Sequence, residues 1–125
     1  MKKIGVFSGF NGLNGGRLAL DKLGIPISAY YSSETDPYAN KVTQANYPDT
    51  IQLGDITKVG YTSFNHHIDL MMGGSPCQGF SFAGKQLNFD DPRSRLFFDF
   101  IRIRDELLPK YVLLENVRMS KESQD

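Results

Sequence analysis

Lys3-Ile4-Gly5-Val6-Phe7-Ser8 runs through Gly9 into Phe10-Asn11-Gly12-Leu13-Asn14-Gly15-Gly16. The first six residues read as a short buried strand ended by glycines. Residues 16–23 then set Leu18, Leu20 and Leu23 at helical offsets among good helix formers, with Gly24 where a C-cap glycine belongs. The unit is strand, glycine-rich turn, helix. Glycine in such a turn lets backbone N–H groups and a helix N-terminus approach a ligand closely.

Outward from this unit the pattern repeats. Residues 27–33 read as a second, tyrosine-rich strand. Asp36-Pro37 is an N-cap followed by an N1 proline and predicts a helix over 37–46. Residues 50–53 and 68–72 read as the third and fourth strands, and 75–92 as a long loop with several Gly and Pro breakers. Leu96, Phe97, Phe100, Ile101, Ile103, Leu107 and Leu108 mark an amphipathic helix over 94–108, closed by Pro109. Tyr111-Val112-Leu113-Leu114 is the fifth strand. Alternating strands and helices predict an α/β fold, a parallel sheet with helices on both faces. Apolar strands without alternation agree, because such strands are buried on both sides. No internal repeat or low-complexity block interrupts the pattern.

The composition bounds the function. The chain has 125 residues, 40% hydrophobic and 22% charged, enough for one real core and too apolar for wholesale disorder. No apolar run approaches the length of a membrane span, so no membrane partner is expected. Met1-Lys2-Lys3-Ile4 has a basic start without an apolar h-region, so secretion is not expected. Fourteen Lys and Arg balance fourteen Asp and Glu, which argues against a dedicated polyanion-coating protein. The one cysteine, Cys77, cannot form an internal disulfide, and no Cys/His cluster predicts a metal site.

In doubly wound sheets ligands bind beyond the carboxyl ends of the strands, and the unusual residues fall there. Glu34 stands 22 positions after Gly12 at the end of the second strand, where a carboxylate binds ribose hydroxyls. Asp55 ends the third strand, where it can accept from an adenine amino group. Both point to a nucleotide-like ligand; tight turns with a solvated carboxylate are the plain alternative. The spacing does not fit GxxxxGK[ST], and the turn has no lysine, which disfavours nucleoside triphosphates. Cys77 lies in Gly74-Ser75-Pro76-Cys77-Gln78-Gly79-Phe80-Ser81, just after the fourth strand, a position suited to an activated thiolate rather than a buried small hydrophobe. His66 and His67 precede that strand and belong near its opposite end, so a Cys–His pair is not expected. Glu115 follows the fifth strand, either as a partly buried acid or as a loop carboxylate that caps something.

Together these residues resemble the DNA cytosine-5 methyltransferases, which use S-adenosylmethionine. Phe10-Asn11-Gly12-Leu13-Asn14-Gly15-Gly16 resembles their first motif, which holds the methionine part of the cofactor. Ser32-Ser33-Glu34-Thr35-Asp36 resembles the second, Gly54-Asp55-Ile56 the third, Leu96-Phe97-Phe98 the fifth, and Pro76-Cys77-Gln78 and Glu115-Asn116-Val117 the Pro-Cys-Gln and Glu-Asn-Val signatures. The resemblance covers essentially the whole chain. It implies a Rossmann-like methyltransferase fold, mostly parallel, cut short after the fifth strand. The chain would be the N-terminal portion of a catalytic domain, without the target recognition domain and C-terminal motifs. It departs from the family pattern at Ser8 and Asn11, and at Asn14, where a glycine is usual.

By this resemblance Cys77 adds to C6 of cytosine, Glu115 binds the N3 edge and the amino group, and Pro76 shapes the loop. Phe10, Asn11, Gly12, Leu13, Gly15, Glu34, Thr35, Asp55, Ile56, Ser75, Pro76 and Leu96 would line the cofactor site. Gln78, Ser81, Lys85, Arg93 and Arg95 would face double-stranded DNA with its cytosine flipped out, although the three basic residues also fit ordinary solvated charges. The setting implied is the cytoplasm of a bacterial or phage-infected cell, or a eukaryotic nucleus. An exposed sheet edge is expected, with self-association or pairing with a complementing C-terminal polypeptide. Two other readings compete: a non-catalytic cofactor-binding remnant or subunit, and a nicotinamide-dependent oxidoreductase. The latter leaves Pro76-Cys77-Gln78 and Glu115-Asn116-Val117 without a role.

Overall fold

The computed structural model describes residues 2–10, 15–73 and 92–114, with side chains from residue 97 onward in the last segment. Five strands form one parallel sheet: β1 (Ile4–Gly9), β2 (Ile27–Ser33), β3 (Ile51–Gln52), β4 (Leu70–Gly73) and β5 (Tyr111–Leu114), in the spatial order β3-β2-β1-β4-β5. Among the described residues three helices connect them: α1 (Gly15–Lys22), α2 (Pro37–Asn46) and α3 (Pro92–Leu107). With β2 on one side of β1 and β4 on the other, the order reverses at β1. A crevice opens at such a reversal.

Consecutive strand residues face opposite ways, and both faces are covered. Val6, Tyr30 and Met72 pack with Leu20 of α1 on one face. Phe7, Tyr31 and Met71 pack with Phe100 and Ile103 of α3 on the other. This double burial is why β1, β2 and β4 read as unbroken apolar runs.

The predicted stops hold. The Ile25 N–H bonds to the Leu20 carbonyl at 3.1 Å and the Gly24 N–H to Asp21 at 3.0 Å, with Gly24 at φ 71°. This pair of bonds is a Schellman cap, and Ile25 and Leu20 join the same core cluster. Asp36 caps α2 by accepting from the Tyr38 N–H at 2.9 Å. Leu108 at φ 50° ends α3 ahead of Pro109.

Two details differ from expectation. Residues 56–58 and 61–63 form short 3-10 turns, whose buried Ile56 and Val59 close the α3 face of the core. β4 starts at Leu70 rather than residue 68, because Asp69 is engaged with Gly5. The Asp69 N–H donates to the Gly5 carbonyl at 2.8 Å, and the Asp69 carboxylate accepts from the Gly5 N–H at 2.9 Å. β5 is the exposed edge that was expected, and so is not buried on both sides as the inner strands are: its residues are 60, 41, 57 and 39% exposed, because it pairs only with β4 among the described residues.

Candidate cofactor site

The ends of β2 and β3 are built from short polar residues that tie the two strands together. The Ser33 hydroxyl donates to the Gly54 carbonyl at 2.7 Å. Gly54 has φ 74°, a left-handed conformation suited to glycine, and it turns the chain into Asp55. Glu34 follows Ser33 directly. One of its carboxylate oxygens accepts from the Thr35 and Asp36 N–H groups at 3.1 and 3.0 Å, and its carbonyl accepts from Asn40 of α2 at 2.9 Å.

Asp55 caps the first 3-10 turn. Its Oδ1 accepts from the Thr57 N–H at 2.9 Å and from the Thr57 hydroxyl at 2.8 Å. The backbone bond first, and the hydroxyl bond second, hold the carboxyl below its ordinary pKa. Asp55 is therefore a committed acceptor at neutral pH.

A cavity of about 230 Å³ opens between these strand ends, lined by Phe10, Ser33, Glu34, Thr35, Gly54, Asp55, Ile56 and Thr57. Two acidic residues line one small hollow together with an aromatic and a branched apolar residue. These acceptors suit a ligand such as an adenosine, which has hydroxyls and an exocyclic amine to donate and a flat ring to cover. Phe10 holds a left-handed backbone, φ 58°, rare for an aromatic residue and typical of a constrained functional position. It also lines a second cavity of about 360 Å³, where Gly15 and Gly16 of α1 meet Ser8, Met72 and Gly73.

Five of the expected cofactor residues, Phe10, Glu34, Thr35, Asp55 and Ile56, thus come together in one cavity, and Gly15 lies in its neighbour. Ser33 and Thr57 were not foreseen as site residues. Ser33 directly precedes Glu34 and fixes the Gly54 turn, and Thr57, two residues after Asp55, holds its carboxylate; a short polar residue that near each acid was the available signal.

Asn11, Gly12, Leu13, Ser75, Pro76, Cys77, Gln78, Ser81, Lys85 and Glu115 lie outside the described residues, as do the side chains of Arg93, Arg95 and Leu96. The strands that lead to them are described. Gly9, Gly73 and Leu114 are register partners across β1, β4 and β5. The chain therefore leaves for Cys77 and for Glu115 from adjacent, level strand ends. The histidines lie at the far end of the sheet. His66 Nδ1 is 2.7 Å from the Tyr31 hydroxyl, and His67 Nε2 is 3.5 Å from Asp69, just ahead of β4. Among the described residues no cluster of three His, Cys, Asp or Glu could hold a metal, and no helix is long and apolar enough to cross a membrane.

The sequence profile of the C-5 cytosine-specific DNA methylases matches residues 1–125. The chain is 43% identical over 118 residues to the Type II methyltransferase M.NlaIV of Neisseria lactamica, covering 94% of this chain and 28% of that protein. It is 45% identical over 109 residues to the Type II methyltransferase M.HhaI of Haemophilus parahaemolyticus, covering 87% of this chain and 32% of that protein. The chain therefore spans about a third or less of the length of these relatives. Among solved structures, a Dnmt2 variant of Spodoptera frugiperda superposes with TM-score 0.73 at 26% identity, over 98% of this chain and 39% of that one. The S. pombe Dnmt2 methyltransferase superposes with TM-score 0.70 at 23% identity over 98% of this chain and 37% of that one, a likeness of fold.

Proposed function

Because the chain belongs to the C-5 cytosine-specific DNA methylase family, we propose that it carries the cofactor pocket and the nucleophile of an enzyme that methylates C5 of cytosine in DNA from S-adenosylmethionine. The observation that carries the reading is the single cavity shared by Phe10, Glu34, Thr35, Asp55 and Ile56. Bound S-adenosylmethionine supplies a methyl group on a positively charged sulfur, ready to be taken by a carbon nucleophile. Glu34 accepts from the ribose hydroxyls. Asp55, kept ionised by Thr57, accepts from the adenine amino group. Phe10, Ile56 and Leu96 flank the cofactor, and Asn11, Gly12, Leu13, Gly15, Ser75 and Pro76 hold its methionine end.

The cytosine must be flipped out of the duplex to reach this pocket. Cys77 thiolate adds to C6, and Glu115 holds N3 as it takes a proton, which makes C5 nucleophilic. After methyl transfer a solvent base takes the C5 proton, the freed electron pair forms the C5–C6 double bond and expels the Cys77 thiolate, and N3 returns the proton it took. Pro76 shapes the loop that presents Cys77. Gln78, Ser81, Lys85, Arg93 and Arg95 contact the DNA. The level ends of β4 and β5 support a Cys77–Glu115 pairing across one base. The bacterial Type II relatives favour a cytoplasmic setting.

Duplex DNA carrying 5-fluorocytosine tests the chemistry, because fluorine cannot leave as the C5 proton does and the adduct persists. A covalent adduct at Cys77, dependent on cofactor and lost in Cys77→Ala, is the expected result. Full activity of Cys77→Ala overturns the mechanism.

One observation favours a further requirement. All four residues of β5 are exposed and apolar. We infer that activity needs additional polypeptide, continuous or separate, paired along this edge. Reconstitution with the C-terminal portion of a relative tests this.

A further inference from the structure

Only two residues of α1 are buried, Arg17 and Leu20. Arg17 is 7% exposed, deep for a guanidinium. Its Cζ stands 4.9 Å from the centre of the Tyr30 ring and 4.5 Å from that of Tyr47. Nη2 donates to the two Asp49 carboxylate oxygens at 3.3 and 3.1 Å, and Nε stands 4.0 Å from Asp21. Nε and Nη1 are buried with no hydrogen-bond partner among the described residues. Burying donors this way is costly, and the ring faces offset only part of it. An apolar residue would pack the same gap between helix and sheet without that cost.

The position of Arg17 gives the cost a purpose. It follows directly on Gly15-Gly16, the pair that opens α1. Tyr30 meets it from β2, and the Tyr30 hydroxyl shares a hydrogen bond with Ser8 near the end of β1. A Cβ on Gly16 would stand 3.9 Å from that hydroxyl and 2.7 Å from the Met72 methyl. Tyr30 therefore touches both sides of the gap between β1 and α1, through its hydroxyl on one side and its ring face on the other. Holding the end of β1 and the start of α1 at a fixed separation fixes the two described ends, Phe10 and Gly15, between which the site is built.

We propose that Arg17 and Tyr30 are positioning residues that fix the spacing between the end of β1 and the start of α1, and thereby set affinity for the methionine end of the cofactor. The inference rests on the S-adenosylmethionine reading above. It concerns only the half of the ligand beside Gly15; the adenosine half has its own support in Ser33 and Thr57.

The test is calorimetry of the full chain with two ligands, S-adenosylhomocysteine and adenosine, alongside thermal melting. Arg17→Met is expected to weaken S-adenosylhomocysteine by about tenfold, the scale of one buried charge-assisted contact, with adenosine affinity within about twofold. Arg17→Lys keeps a cation over the rings and recovers part of the loss. Tyr30→Phe removes only the hydroxyl and shifts the ratio in the same direction. Ile25→Ala, which trims the same apolar cluster without lining either cavity, lowers the melting temperature and leaves the ratio unchanged. If Arg17→Met does not fold, Arg17→Lys and Tyr30→Phe decide by the same ratio. Equal weakening of both ligands, or of neither, overturns the inference while the cofactor reading stands. A wild-type chain that binds neither ligand overturns both.

Discussion

The Ser33 hydroxyl donates to the Gly54 carbonyl at 2.7 Å, fastening the last residue of β2 to the turn that presents Asp55. Ser33 is buried, so no water replaces it readily. Ser33→Ala leaves the Gly54 carbonyl short of a partner and is expected to cost about 1–3 kcal/mol of stability. Adenosine affinity should fall as well, because Glu34 and Asp55 lose their fixed separation. Thermal melting and calorimetry read the two effects. Unchanged values in both would mean that the bond does not organise the site.

Phe100 of α3 packs beneath two strand ends at once. A Cβ on Gly73 would come within 2.9 Å of Phe100 Cε1 and 3.3 Å of Leu114 Cδ2, and one on Gly9 within 3.0 Å of Phe100 Cδ1. Gly73→Ala is therefore expected to destabilise by about 1–3 kcal/mol through overpacking. Phe100→Leu makes room, so the cost of Gly73→Ala should shrink in that background. A double-mutant cycle measures the coupling, and strict additivity would place the strain elsewhere.

Much of this fold was legible because its signals are local. The Asp36-Pro37 start of α2 and the Gly24 stop of α1 are set by hydrogen bonds within a few residues, and both appear as read. Glu34 and Asp55 were legible for a different reason: strand ends gather at one edge of a parallel sheet, so residues distant in sequence converge there. The 3-10 turns left no periodic trace, being three residues each. An exposed edge was expected from the resemblance, but not from Tyr111–Leu114 themselves, because an apolar run does not record whether a neighbour covers it. Ser33 and Thr57 were missed because each acts through a bond to another residue, not through a motif of its own.

The bonds from Thr57 fix the sign of a pH effect at Asp55. Its folded-state pKa lies below the ordinary value of 3.8. Its stabilising contribution is thus complete above that ordinary value and is lost as the pH falls through the lower folded one. Adenosine affinity, so far as it depends on the Asp55 carboxylate, should be flat between about pH 6 and about pH 8 and fall only in strong acid. Thr57→Val removes the hydroxyl donor but keeps the N–H, and should move the acid limb to higher pH. An acid limb that stays in place in Thr57→Val would show that the hydroxyl does not tune the carboxylate.

β5 offers an apolar edge with no charged residue in Tyr111-Val112-Leu113-Leu114. Unpaired edge N–H and C=O groups beside exposed apolar side chains are a template for pairing with another chain. Leu18 and Leu23 of the α1 region add to the uncovered apolar surface, and Leu113 lines the same groove as Leu23. The chain by itself is therefore expected to self-associate as its concentration rises, read by sedimentation velocity. Leu113→Lys places a charge on this edge and should shift the population toward monomer. Adenosine affinity should survive the change, because Leu113 does not line the cavity of Glu34 and Asp55. A wild-type chain that stays monodisperse and monomeric at high concentration would show that β5 is not a pairing edge, and would also weaken the inference that activity needs polypeptide along it.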